Sequence, residues 1–362
     1  MESVLSGLSE QVAAARAAGH RLVIRGGGTR LFYGEPLPED DSCAWLDMST
    51  YRGIVDYEPA ELVLTARAGT PLAEIEAVLD GAGQMLAFEP PRFGPGDTLG
   101  GCMATALAGP RRMAAGPVSD YILGTRLMRA DGEVMRFGGE VMKNVAGYDV
   151  SRLLVGSMGV LGPLVEVSLK VVPRPRSEIT LALALDEAEA LRSCTRWRSR
   201  PMPVSATAWL PDGSGGRLNV RLSGNESAVH AGAAEIGGEL LEPEKADAFW
   251  LSLRDQAHGF FRQRPLWRVT LPPGAPPLGS GRELHEWQGC LRWLGGTHDP
   301  AALRAKVREL GGWASLYHRD GALAASPAFH PLAPAVMRVQ RRLKQQLDPG
   351  GLFNPRRLYP EF

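Results

Sequence analysis

The sequence predicts an α+β protein of two domains, closed by a tail that returns to the first. Three observations predict it. Short apolar strands alternate with amphipathic helices through residue 88, the pattern of a small α/β unit. A proline pair, Pro173-Arg174-Pro175, then interrupts the chain. Beyond it, strands and helices follow in the order βαβ, βαβ with hairpins, which suits a ferredoxin-like sheet with helices on one face. At 362 residues the chain is too long for one ordinary core.

Each element has a local cause. Val4, Leu8 and Val12 recur every four residues among alanines, so the chain opens with a helix that Gly19 ends. Arg21–Arg25 reads as a short buried strand running into Gly26-Gly27-Gly28, and Trp45–Met48 as a second. Ile54–Tyr57 and Leu62–Ala68 are strands around Glu58-Pro59. Thr70-Pro71 starts a helix whose stripe is Leu72, Ile75, Ala77, Val78 and Leu79. Gln84–Phe88 is a strand. Residues 90–118 are dense in Gly and Pro without periodicity, so they read as a long functional loop. Asp131-Gly132 signals a hairpin between Tyr121–Ala130 and Glu133–Phe137, and Gly162–Val172 is the last strand before the prolines.

In the second half, strands are expected at Glu178–Leu185, Ala206–Leu210, Arg217–Leu222, Leu266–Leu271, Leu291–Leu294 and Ala314–His318. Helices are expected at Glu187–Arg198, Ala228–Ile236 and Ala301–Leu310, with a last one near Ala335–Leu347. The division is therefore 1–175, as two small α/β subdomains, then 176–334, then a tail of 335–362.

Composition narrows the function classes. Lys+Arg and Asp+Glu both number 40, so no global field attracts nucleic acid or an anionic membrane. Cys43, Cys102, Cys194 and Cys290 are scattered, which argues against iron–sulfur and structural zinc sites and for reduced thiols. His20, His230, His258, His285, His298, His318 and His330 form no ligand spacing, so no metal is expected. The first twenty residues lack the apolar run of a secretory signal, and no stretch is long enough to cross a bilayer. The expected location is cytoplasmic, with membrane contact only through partners.

Four segments can carry chemistry. Arg25-Gly26-Gly27-Gly28-Thr29-Arg30 follows a strand, and its glycines allow backbone N–H groups to converge on a pyrophosphate, helped by both arginines. A plain tight turn is the alternative. The pattern is neither a P-loop nor G-x-G-x-x-G, since Leu31 stands at the third glycine. Thr98 to Ala104 is built of small residues that allow close approach of a flat ligand, or tight helix packing. Lys143 to Asp149, followed by Gly156 to Gly162, sets polar groups beside a glycine ladder. Asp348 to Pro355 is the fourth.

Together, "RGGGTRLFYG", "TLGG", "KNVAGYDVSRLLVGSMGVLG" and "DPGGLFNP" resemble flavoproteins of the vanillyl-alcohol oxidase and p-cresol methylhydroxylase (PCMH) fold. More narrowly, the chain resembles the FAD-binding E subunits of bacterial glycolate oxidases over nearly its whole length. The resemblance implies a PCMH-type FAD-binding domain with a ferredoxin-like cap. It implies that Gly26, Gly27, Gly28 and Thr29 hold the FAD pyrophosphate. Thr98, Gly100, Gly101 and Ala104 would line the flavin and ribityl chain, and Gly147, Tyr148 and Asp149 would shape the pocket. Gly162 and Val165 would approach the adenine, and Asn354 would bring the tail back to the ring. The place where some relatives attach FAD through a histidine holds Thr29 here, and Cys102 is expected to be inert, so the FAD should be non-covalent.

The implied activity is oxidation of a small 2-hydroxy acid, glycolate or D-lactate, by hydride transfer to the flavin. The implied partners are a second flavin subunit and an iron–sulfur subunit, with the complex at the inner membrane face. The His-rich metal motif of the lactate and glycolate group is missing, and His318-Arg319-Asp320-Gly321 reads as a solvated loop. Arg356 and Arg357 read as a surface pair, though either could face a carboxylate. No catalytic base is assigned. An electron-relay or structural subunit, and an independent oxidase or nicotinamide-using reductase of the same fold, are the alternatives.

Overall fold

The computed structural model describes residues 1–37, 43–139, 149–213 and 215–362. Helix α1 (Glu2–Ala18) ends at Gly19, whose φ of 69° is the left-handed cap that glycine adopts without strain. Strands β1 (Arg21–Arg25) and β2 (Cys43–Asp47) pair in parallel, and Leu8 and Val12 of α1 pack on Leu22 and Leu46. The tail completes this unit, since Phe353 bridges Leu22.

A second unit follows: β3 (Ile54–Glu58), β4 (Val63–Arg67), α2 (Leu72–Gly81), β5 (Gln84–Met85), α3 (Leu99–Thr105) and α4 (Arg112–Ala115). It continues with β6 (Ile122–Met128), β7 (Val134–Gly138), α5 (Val150–Leu154), β8 (Leu164–Lys170) and β9 (Val172–Pro173). Five of these strands form an antiparallel sheet ordered β3-β4-β8-β6-β7. The Asp131-Gly132 hairpin forms as the sequence predicts, with Met128 opposite Val134 and Gly132 at a φ of 85°. Helices α2 and α3 bury Leu72, Ile75, Leu79, Leu99 and Met103 against Leu64, Ala66 and Val167 of the sheet.

The segment 90–118 is not a structureless loop. It contains α3 and α4, which its glycines conceal, because glycine is a poor helix former. Thr98 caps α3, its hydroxyl accepting the Gly101 N–H at 3.3 Å.

The second half comprises β10 (Ser177–Ala184), α6 (Glu187–Arg198), β11 (Val204–Leu210), β12 (Arg217–Gly224), α7 (Glu226–Ile236), β13 (Glu239–Leu240) and α8 (Pro243–Arg254). Then come β14 (Leu266–Thr270), β15 (Glu283–Glu286), β16 (Leu291–Gly295), α9 (Pro300–Glu309), β17 (Trp313–His318) and α10 (Pro334–Leu347). Its eight strands form one sheet ordered β13-β10-β12-β11-β15-β16-β14-β17. Two four-stranded halves meet where β11 pairs with β15, through Ala208–Glu286 and Trp209–His285. Strands β13 and β15 and helix α8 escaped the sequence reading. Two and four residues are too short for a period, and α8 is a polar helix with only Ala246, Trp250 and Leu253 buried.

Buried ion pairs lock the two halves together. Glu89 accepts from Arg111 at 3.2 Å and from Arg221 at 2.8 Å, and Arg319 pairs with Glu35 at 2.8 Å.

Candidate functional site

Three glycine-bearing turns converge beside β1. The first is residues 26–30. A Cβ on Gly27 would lie 1.7 Å from the Gly96 carbonyl oxygen, and one on Gly26 would lie 2.1 Å from Thr98 Oγ1. Only glycine lets these two loops touch. Among the described residues, the backbone N–H groups of Gly26, Gly27, Gly28, Thr29 and Arg30 donate to no acceptor. Free N–H groups in succession form an anion-binding nest.

Charge at this turn is arranged to suit an anion. The Thr29 hydroxyl donates to Asp97, which also pairs with Arg30 at 3.3 Å. Arg30 is only 6% exposed, and its Nη2 donates to the Pro91 carbonyl at 2.7 Å. Its Nε and Nη1 are buried without partners. A buried cation with two unused donors requires an acceptor, and a pyrophosphate oxygen supplies one. At the mouth, Arg25 pairs with Asp47 at 3.0 Å, half exposed.

The second wall is α3. Gly100 packs on Ala68, where a Cβ would come within 3.0 Å, so the helix N-terminus sits close to β4. The third is the turn before β8, with Gly159 at a φ of 73° and Gly162 at 137°. The Met158 N–H donates to the Ala104 carbonyl at 2.9 Å, tying this turn to α3.

The tail fixes the third wall to the first. Asn354 Oδ1 accepts the Ile24 N–H at 2.6 Å, and its Nδ2 donates to the Met158 carbonyl at 2.6 Å. Lys344 of α10, also buried, donates to the Val160 and Phe353 carbonyls at 2.6 and 3.0 Å and pairs with Asp348 at 2.6 Å. Burial pushes its ammonium pKa down. Arg357 is buried and donates to the carbonyls of Leu31, Tyr33 and Glu35, and burial, with Arg319 nearby, pushes it down to about 10. Arg357 is therefore no surface residue, although Arg356 is exposed.

These turns line a single open groove. Of the residues singled out in the sequence, Arg25, Gly26, Gly27, Gly28, Thr29 and Arg30 line it, as do Thr98, Gly100, Gly101, Ala104, Gly162 and Asn354. Val165 does not; it is fully buried in the core with Met48 and Phe353. Asp149 is exposed and caps α5, accepting the Arg152 N–H at 3.3 Å. Gly147 and Tyr148 lie outside the described residues. Ala68, Ser157, Met158, Gly159 and Arg357 also line the groove. The glycine ladder pointed at Gly159, and Arg357 was singled out with Arg356 as able to face a carboxylate, but nothing local marked Ala68.

Two further residues bear on the chemistry. Cys102 is fully buried on α3, and burial pushes its thiol up to about 12, so it stays protonated. His318 is not in a solvated loop. It stacks on Phe32 with ring centroids 4.6 Å apart, and burial and Arg264 push it down to about 4.

Residues 6–138 match the family model described as an FAD binding domain. Over 356 residues the chain is 44% identical to glycolate oxidase subunit GlcE of Escherichia coli, spanning 98% of this chain and 97% of that one. It is 31% identical to glycolate oxidase subunit GlcD of Bacillus subtilis over 47% of this chain and 36% of that one. Against the mitochondrial D-lactate dehydrogenase [cytochrome] 1 of Saccharomyces cerevisiae it is 27% identical, over 41% of this chain and 25% of that one. In fold, it is similar to an alkyldihydroxyacetonephosphate synthase with a TM-score of 0.68 at 15% identity, covering 96% of this chain and 74% of that chain. The cofactor these findings assign is FAD, and the nest, the unpartnered Arg30 nitrogens and the groove fit it. The chain belongs to the glycolate oxidase subunit GlcE family of FAD-dependent oxidoreductases.

Proposed function

We propose that this chain is the FAD-binding subunit of a glycolate oxidase complex that oxidises a small 2-hydroxy acid, glycolate to glyoxylate, beside a second flavin subunit and an iron–sulfur subunit. The observation that carries this reading is the end-to-end similarity to GlcE, over 98% of this chain and 97% of that one. The partial similarity to GlcD supports a flavin partner built on a related domain. In this reading residues 1–175 form the FAD-binding domain, 176–334 the cap and 335–362 the returning tail. The complex holds the chain at the inner membrane face; no described helix is long and apolar enough to cross a bilayer.

Bound FAD supplies the two-electron acceptor. The nest N–H groups and Arg30 hold its pyrophosphate, non-covalently. Thr98, Gly100, Gly101 and Ala104 flank the flavin and ribityl chain, and Gly162 lies toward the adenine. Phe32 meets Phe93 and Tyr317 edge-on and stacks on His318, an aromatic cluster that joins the first half of the chain to β17 of the cap.

A second reading, a relay subunit whose partner oxidises the substrate, is favoured by one observation. Among the described residues, no histidine or carboxylate lines the groove. A 2-hydroxy acid needs a base for its hydroxyl proton. Anaerobic glycolate added to the purified, FAD-loaded chain separates the two. Loss of the flavin absorbance near about 450 nm supports a catalytic subunit. Persistence of that absorbance, with bleaching only in the assembled complex, supports the relay. Absence of flavin after reconstitution with excess FAD refutes both.

A further inference from the structure

We propose a divalent-metal site, suited to zinc, formed by Glu187, Glu283 and His285 on the face of the cap sheet that carries α6. Alternation along β15 sets it up. Leu284 faces the aromatic core, and Glu286 accepts from Trp293 at 2.8 Å on the same side. Glu283 and His285 therefore face the other way, toward Glu187 in the first turn of α6. None of the three lines the cofactor groove.

The geometry is that of a ligand set. One donor atom from each residue lies within 4.8 Å of the other two. His285 Nε2 is 2.9 Å from Glu283 Oε2 and 3.5 Å from Glu187 Oε1. A tetrahedral zinc ion with bonds of about 2.0–2.1 Å separates its N and O ligands by about 3.3 Å, and the two observed separations bracket that value. Glu283 and His285 are each 3% exposed.

Two observations beyond proximity point to an ion. Glu187 Oε1 is shielded from water and has no hydrogen-bond partner, yet it faces the imidazole nitrogen that Glu283 already occupies. A cation at the centre would satisfy it. Second, the Ser280 N–H and hydroxyl both donate to Glu283 Oε1, at 3.0 and 2.8 Å, which orients Oε2 toward the histidine. Such outer hydrogen bonds are how metal-binding carboxylates are aimed. The neighbouring cation is Arg292, whose guanidinium is committed to the carbonyls of Gly289, Pro276 and Ala275. It offsets one carboxylate and leaves the other for the ion.

The ion would clamp α6 to the strand through which the two halves of the cap sheet meet, since His285 pairs there with Trp209 of β11. This reverses the expectation drawn from histidine spacing. The ligands are separated by 96 and two residues, too irregular to read as a motif.

The test uses the full chain, freed of metal with a chelator and titrated with zinc chloride against a chromophoric zinc indicator. One zinc per chain is expected, held at least tenfold more weakly in Glu187→Gln and in His285→Ala. Glu187→Gln is isosteric and partly exposed, so its folding is checked independently by circular dichroism and FAD content. Zinc should also raise the melting temperature of the wild type and not of Glu187→Gln. No stoichiometric zinc in the wild type, or equal affinity in Glu187→Gln, would overturn the proposal without touching the FAD reading.

Discussion

Replacing Asn354 with alanine should loosen the whole cofactor groove. Its amide joins two walls, accepting the Ile24 N–H and donating to the Met158 carbonyl, both at 2.6 Å. Alanine leaves both buried groups unsatisfied, at about 1–3 kcal/mol each. Asn354 also sits at a φ of 42°. Asparagine tolerates that region, whereas alanine carries a cost of about 1–2 kcal/mol. The sum is at least about 3 kcal/mol. If only about 2 kcal/mol of it is felt as loss of the preformed groove, FAD affinity falls about 30-fold. The assay is titration of the apoprotein with FAD, following flavin fluorescence. Asn354→Asp keeps the acceptor and the φ tolerance but sets a buried carboxylate oxygen against the Met158 carbonyl, so it should bind FAD no better than Asn354→Ala. An alanine variant that binds FAD within threefold of wild type would refute the idea that this side chain holds the walls together.

Glu89→Ala removes the carboxylate that Arg111 and Arg221 share at 3.2 and 2.8 Å in a largely buried site, and leaves both only the partly exposed Glu178, 2.5 Å from Arg111 and 3.7 Å from Arg221. It should cost about 3 kcal/mol, the low end for a broken buried pair because Glu178 remains, seen as an earlier denaturation midpoint in tryptophan fluorescence, and a loss below about 1 kcal/mol would contradict the interlock. Burial pushes the Glu286 carboxyl up to about 7. The folded state thus holds this proton longer than the unfolded chain, and stability fades as pH rises from about 4.5 through 7. Glu286→Gln removes that loss, so its stability relative to wild type should improve across this window by up to about 3 kcal/mol; a difference independent of pH would contradict it. Cys102, fully buried with its thiol pushed up to about 12, should resist iodoacetamide at pH 8 in the folded chain. Labelling at the rate of an exposed thiol would show that α3 opens.

What the sequence determined by itself was local. The Asp131-Gly132 turn, the Gly19 helix stop and the amphipathic stripes of α1 and α2 depend on neighbours a few positions away, so their cause is visible in a window. The glycine triplet was legible for the same reason, since only glycine permits the close approach that Gly26 and Gly27 make. What the tertiary structure alone decided was which distant groups meet. Asn354 reaches Ile24 across 330 residues, and Arg357 spends its charge on carbonyls of residues 31–35. Helix α3 forms despite two glycines because Gly100 packs on Ala68, a contact no propensity encodes. Glu187, Glu283 and His285 become neighbours only because β15 is seated beside β11 and beneath α6. Local conformation follows from steric limits within a few residues, whereas juxtaposition follows from how complete elements bury their apolar faces, and no periodicity records that.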